Sequence, residues 1–135
     1  MNIQLRVRDC MVSDVITVPN DAEIMQVVHL LVEHDISGVP VVDSEGQLIG
    51  ILTERDCIDV ALQAGYFDEW GGSVADYMSQ PVETADSDDN LVDVAERLCR
   101  SMYRRFPVLS DGKLVGLISR RDVLKTLHRG RTVIP

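Results

Sequence analysis

Thr53-Glu54-Arg55-Asp56 and Ser119-Arg120-Arg121-Asp122 share one pattern, a hydroxyl residue followed three positions later by an aspartate. Each follows an apolar run, Leu48–Leu52 or Leu114–Ile118, and precedes residues with helical spacing. Each therefore falls at a strand-to-helix junction. Two chemistries suit that placement. A carboxylate accepts two hydrogen bonds from the vicinal hydroxyls of a ribose. A hydroxyl beside the free N–H groups of a helix start holds a phosphate or ribose oxygen. The same pattern is also a helix capping box, in which hydroxyl and carboxylate satisfy each other's backbone. The two roles are compatible, because a cap can exchange partners when a ligand arrives.

Arg104 and Arg105 are the second candidates. They stand just before the Phe106-Pro107 run, and their planar donors suit phosphate oxygens. A solvated basic edge is the plainer reading of the pair. Arg120 and Arg121 add charge, but on a helix only one of two neighbours faces a given side. These arginines belong to an uneven charge distribution. Residues 1–96 hold 3 Lys/Arg against 20 Asp/Glu, and residues 97–135 hold 10 against 2, within a net charge of −9. An acidic chain makes a poor general nucleic-acid binder, whereas a local basic cluster suits a small anion.

The elements that must position these residues occur twice. Pro40 aligns with Pro107, Gly46 with Gly112, Gly50 with Gly116 and Asp56 with Asp122, at an offset of 67 residues that falls to 66 after the turn. Val7-Arg8-Asp9-Cys10-Met11 likewise aligns with Val74-Ala75-Asp76-Tyr77-Met78, and Thr17 with Thr84. In the first copy Val15–Val18 reads as extended. Asn20 is placed to cap a helix, with Glu23 as its reciprocal partner. Ile24, Val27, Val28 and Leu31 form one apolar helical face. Val39–Val42 and Leu48–Leu52 read as strands joined by the Asp43–Gly46 turn. Thr53 then caps a second helix. The second copy gives Val82–Ala85, a helix on Leu91, Val94, Ala95 and Leu98, strands at Pro107–Leu109 and Leu114–Ile118, and a helix from Ser119 carrying Val123, Leu124 and Leu127. Gly65–Ser73 marks the junction, with Trp70 placed to plug an interface, and Thr132–Pro135 reads as a loose tail. The unit is β-α-β-β-α, twice, in an α/β fold. Each half, at roughly 65 residues, is marginal alone, so the halves are expected to share a core.

Other chemistries find little support. Cys10, Cys57 and Cys99 are odd in number, form no CxxC, and read as buried hydrophobes in a reducing, cytoplasmic setting. His29, His34 and His128 are scattered, and no HExxH, GxSxG or GxxxxGK[ST] motif occurs. No enzyme and no resident metal are expected. No apolar run approaches the roughly 20 residues of a membrane span, and the N-terminus has no secretory pattern.

The stretches I-S-G-V-P-V-V-D at 36–43, L-I-G-I-L-T-E-R-D at 48–56 and D-C-M at 9–11, with their second copies, resemble the cystathionine-β-synthase (CBS) domain. Two such domains in tandem resemble a Bateman module. The resemblance covers about residues 7–128 and implies a stand-alone pair, with repeats at 1–67 and 68–135. It implies pseudo-two-fold symmetry with the sheets of the repeats packed together. It implies adenosine-containing ligands in the clefts between repeats (AMP, ADP, ATP or S-adenosylmethionine) and a further pairing into a homodimer.

Carried over residue by residue, the resemblance gives two candidate sites. The first joins Thr17, Ala22, Ile36 and Ser37 to Arg104, Arg105, Ser119 and Asp122. The second joins Thr84, Asp89, Tyr103 and Arg104 to Ser37, Gly38, Thr53 and Asp56. Glu54, Glu83, Asp86, Asp88 and Asp89 surround the second and would repel polyphosphate unless Mg²⁺ bridged it, so the first is favoured. Ile36, Val39 and Ile118 are expected to sandwich the base. The resulting expectation is a regulatory nucleotide sensor acting on a separate, unnamed partner. The alternative is a ligand-free dimerisation adaptor. Nucleic-acid binding through Arg120–Arg131 is a distant third.

Overall fold

The computed structural model describes residues 4–67 and 71–133; Trp70 lies outside them. The chain divides into two compact units, one formed by Met1–Val15 with Glu83–Pro135, the other by Ile16–Val82. Each contains a three-stranded sheet and two α-helices in the order β-α-β-β-α.

In the Ile16–Val82 unit the elements are β1 (Val18–Pro19), α1 (Ile24–Glu33), β2 (Gly38–Val42), β3 (Leu48–Thr53) and α2 (Glu54–Phe67). β1 runs parallel to β2, and β2 antiparallel to β3. The other unit repeats this with β4 (Ala85–Asp86), α3 (Leu91–Arg100), β5 (Arg105–Ser110), β6 (Lys113–Ser119) and α4 (Arg120–Val133). The β5–β6 turn places Asp111 and Gly112 at φ 51° and 78°. Two positive φ angles suit a tight hairpin, and aspartate and glycine tolerate them.

Each sheet carries a core of mostly aliphatic side chains. Val18, Ile24, Val27, Leu31, Val39, Val41, Leu52 and Cys57 form one cluster, and Ala85, Leu91, Val94, Leu98, Phe106, Val108, Ile118 and Val123 the other. The halves share these cores by exchange. Val7, from the first half of the sequence, completes the second cluster, and Val74, from the second half, completes the first. Backbone bonds fix both plugs. Val7 N–H donates to Asp89 (3.0 Å) and Leu91 N–H to Leu5 (2.9 Å); Val74 N–H donates to Ala22 (2.9 Å) and Ile24 N–H to Gly72 (3.0 Å).

The exchange explains two of the aligned glycines. A Cβ on Gly50 would stand 2.5 Å from the Met78 sulfur, and one on Gly116 2.8 Å from both the Met11 sulfur and the Val12 carbonyl. The Asp-x-Met elements therefore lie directly on the glycine of β3 or β6, a close approach that a bare strand permits.

Four sequence expectations change. The first strands are short and shifted to Val18–Pro19 and Ala85–Asp86, with Pro19 tolerated on an edge strand. α1 begins three residues late, capped by Glu23 accepting from Met25 N–H (3.1 Å). The Asn20 and Ala22 carbonyls accept from Ala75 and Val74, which draws that turn towards the exchanged segment instead of the helix. Thr132 and Val133 continue α4 rather than forming a tail. Of the cysteines only Cys57 is buried; Cys10 is half-buried and Cys99, on α3, is exposed.

Candidate functional site

At both strand-to-helix junctions the capping box is formed. Thr53 donates from its backbone (2.9 Å) and hydroxyl (3.0 Å) to Asp56 Oδ2, and Asp56 N–H returns a bond to Thr53 Oγ1 at 3.3 Å. Ser119 donates to Asp122 Oδ2 at 3.0 and 2.9 Å, and Asp122 N–H returns one at 3.1 Å. All four residues are half-buried, so each carboxylate is ordered yet within reach of solvent.

The second oxygen separates the two. Asp56 Oδ1 accepts from the Ser79 hydroxyl at 2.9 Å, which leaves that carboxylate engaged on both sides. The residue aligned with Ser79 is Val12, which has no hydroxyl to give. Asp122 Oδ1 has no hydrogen-bond partner among the described residues. A half-buried carboxylate oxygen held in place by its twin, with its lone pairs unspent, is a ready acceptor.

Strand register brings the backbone of the basic candidates next to Ser119 and the start of α4. Arg105 lies opposite Ser119 in the β5–β6 ladder, and the Arg104 carbonyl accepts from Arg120 N–H at 3.1 Å. The Arg104 side chain is exposed and has no carboxylate partner among the described residues. In the other unit Gly38 lies opposite Thr53, and the Ser37 carbonyl accepts from Glu54 N–H at 2.9 Å. Each unit therefore brings together four of the expected residues: Arg104, Arg105, Ser119 and Asp122 in one, Ser37, Gly38, Thr53 and Asp56 in the other.

The remaining expected residues are placed within their own units. Thr17 is exposed just before β1, Ala22 is half-buried in the turn before α1, and Ile36 is half-buried against the core. Thr84 precedes β4, with its carbonyl held by Arg97 at 2.7 Å. Tyr103 packs against its core, and its N–H donates to Ser101 Oγ at 3.0 Å. Asp89 is spent on its own turn, accepting from Asp86 N–H at 2.9 Å. Val39 and Ile118 are both 0% exposed inside their clusters, so neither has a face to offer a base; of the expected sandwich only Ile36 is within reach of solvent.

Sequence reasoning passed over Ser79 and Arg97. Ser79 is visible only as a hydroxyl standing where the other copy has Val12. Arg97 lies 5.0 Å from the Phe106 ring centre and 3.5 Å from Glu83. Glu83 also accepts from the Ser101 hydroxyl at 3.1 Å. Its charge is thus compensated locally, not left free to repel an anion. Among the described residues no group of three or more His, Cys, Asp or Glu is arranged to hold a metal, and no helix is long and apolar enough to cross a membrane.

A duplicated β-α-β-β-α unit with exchanged leading segments and a capped aspartate after each hairpin defines a tandem-repeat α/β protein. The CBS domain model matches this chain at residues 7–63 and again at 74–129. The chain belongs to the CBS domain family and carries the domain twice. The protein MJ1225 of Methanocaldococcus jannaschii is 37% identical over 121 residues, 90% of this chain and 42% of that one. The chain spans between 22% and 57% of the first curated relatives it matches. Among solved structures, Arabidopsis thaliana CBSX2 in complex with AMP is 28% identical, with a TM-score of 0.83 over 93% of this chain and 98% of that one. The CBS domain pair of MJ0100, in complex with 5′-methylthioadenosine and S-adenosyl-L-methionine, is 26% identical with a TM-score of 0.79, over 94% and 98%.

Proposed function

We propose that this protein is a regulatory sensor of adenine nucleotides, with its principal site at Asp122. The observation that carries the reading is the Asp122 oxygen with no hydrogen-bond partner among the described residues, at a helix start whose Ser119 cap pairs in register with Arg105. Asp122 accepts from the ribose hydroxyls, Ser119 and the start of α4 meet a ribose or phosphate oxygen, and the arginines face the phosphate. Thr17, Ala22, Ile36 and Ser37, carried over from the family resemblance, are further candidates for contact with the same ligand. The complexes of CBSX2 with AMP and of MJ0100 with methylthioadenosine and S-adenosylmethionine support an adenosine-bearing ligand. The second site, Thr84, Tyr103, Gly38, Thr53 and Asp56, is the weaker one, because Ser79 already occupies its carboxylate. Mg²⁺ accompanies the ligand only where a polyphosphate is bound. The repeats divide near residue 67, and the protein acts in the cytoplasm on a separate partner through differential affinity for two states.

The test is a thermal-shift panel of AMP, ADP, ATP and S-adenosylmethionine, with and without Mg²⁺, on wild type and Asp122→Ala. Ligand at about 100 times its Kd adds roughly 2.7 kcal/mol, which moves the midpoint by several degrees. A shift in wild type that Asp122→Ala abolishes supports the sensor. A flat panel on folded protein overturns it in favour of the adaptor. The adaptor reading rests on the apolar side chains that each unit leaves on its helices, among them Val32 (74% exposed), Ile58 (58%), Leu62 (69%) and Leu124 (65%).

A further inference from the structure

The turn that delivers Tyr103, Arg104 and Arg105 is closed differently from its counterpart in the other repeat. After α1 the chain closes on itself. Asp35 takes a φ of 52°, its N–H donates to Val32 (3.3 Å), and Ile36 N–H donates to Leu31 (3.0 Å). That is a complete Schellman motif, made by backbone alone. After α3 no residue turns left-handed; Ser101 is extended at φ −76° and ψ 150°. The Leu98 carbonyl, aligned with that of Leu31, accepts from Arg120 Nε at 2.9 Å. A terminal guanidinium nitrogen of Arg120 donates to the Ser101 carbonyl at 2.8 Å, and Arg120 N–H to the Arg104 carbonyl at 3.1 Å. Arg120 thus holds three carbonyls spread over residues 98–104, two through its guanidinium and one through its backbone N–H. The residue aligned with Arg120 is Glu54, which has no side-chain donor.

Arg120 sits between Ser119 and Asp122, on the first turn of α4. We infer that Arg120 is a positioning residue: it spends its guanidinium on the α3–β5 turn and fixes Arg104 and Tyr103 relative to Ser119 and Asp122. The inference rests on the nucleotide site proposed at Asp122. It assigns Arg120 to the scaffold and leaves Arg104 as the exposed cation for the ligand. Because the turn lacks the left-handed closure found after α1 and is otherwise held by Ser101 N–H to the Arg97 carbonyl and Tyr103 N–H to Ser101 Oγ, loss of the Arg120 guanidinium loosens it, and every ligand of the site must then reorder it on binding.

A positioning role and a phosphate-binding role differ in their readout. Isothermal titration with AMP and with adenosine compares wild type, Arg120→Ala and Arg120→Gln, while hydrogen exchange follows the amides of residues 101–104. The expected result is that Arg120→Ala weakens AMP and adenosine by the same factor, about tenfold, and speeds exchange in the turn. Arg120→Gln, which keeps one donor, falls between the two. Melting temperatures measured alongside restrict the comparison to folded protein. Loss of AMP affinity with adenosine unchanged overturns the inference and makes Arg120 a phosphate ligand. Unchanged exchange and affinity also overturn it. Failure of the site itself would appear separately, as wild type binding neither compound.

Discussion

Asp56 and Asp122 occupy one position of one motif, yet their surroundings assign them different work. Asp56 is locked by three donated bonds from Thr53 and Ser79, whereas Asp122 keeps an oxygen in reserve. Removing either carboxylate loses a helix cap, about 1 kcal/mol. Asp56→Ala additionally strands the half-buried Ser79 hydroxyl, which costs about 1 kcal/mol more. Urea denaturation should therefore rank Asp56→Ala below Asp122→Ala in stability, while nucleotide binding ranks them in the opposite order. Equal losses on both measurements would mean that Ser79 contributes nothing. A second expectation concerns Cys57, whose thiol is pushed up to about 11 by burial, then by the Asp56 and Glu54 charges. A raised thiol favours the protonated folded state. Its contribution is complete below the ordinary value of 9.0 and is lost as pH rises towards 11. Cys57→Ser should flatten the alkaline stability profile in that window, and at pH 8 alkylation should reach the exposed Cys99 well before Cys57.

At the scale of elements, the aligned glycines make a graded prediction. Gly50→Ala pushes chiefly on the end of Met78, a flexible side chain that can swing away. Gly116→Ala meets the Val12 carbonyl as well as Met11, and backbone does not yield as easily. Overpacking of this kind costs typically 1–3 kcal/mol, with Gly116→Ala expected at the upper end and Gly50→Ala at the lower in thermal denaturation. A Met78→Ala background should rescue Gly50→Ala, and Met11→Ala should rescue Gly116→Ala only in part. These elements also mark how far the sequence could be read. The hairpins, the α3 helix and both Ser/Thr-x-x-Asp caps follow from local pattern, because β-branched runs, turn residues and capping spacing act within a few residues. The start of α1 does not, because the carbonyls of Asn20 and Ala22 answer to residues more than 50 positions away. For the same reason the partner of Gly50 is not legible, nor is the bond from Ser79 that separates Asp56 from Asp122. The guanidinium of Arg120 reads from sequence only as one more basic residue; its two carbonyl partners exist only in the folded turn.

Over the whole molecule, the surface left apolar on the helices sets the expectation for assembly. Ile58 and Leu124 are aligned in the two repeats, and both are more than half exposed. Solvent-exposed leucine and isoleucine at matched positions suit a self-complementary contact. Light scattering should find wild type as a dimer, and Ile58→Asp with Leu124→Asp as a folded monomer; an unchanged mass for the double variant would move the contact elsewhere. The exchange of leading segments has a consequence of another kind, in the order of synthesis. Ile16–Val82 is contiguous, so that unit is synthesised whole before the second hairpin is made. The other unit takes its plug from residues 5–12, and they meet Leu91 and Leu117 only after some 80 to 110 positions have followed. Domains generally fold as they emerge. The plug at residues 5–12 is therefore made well before the unit it completes, and it stays without its backbone partners until Leu91 and Leu117 follow.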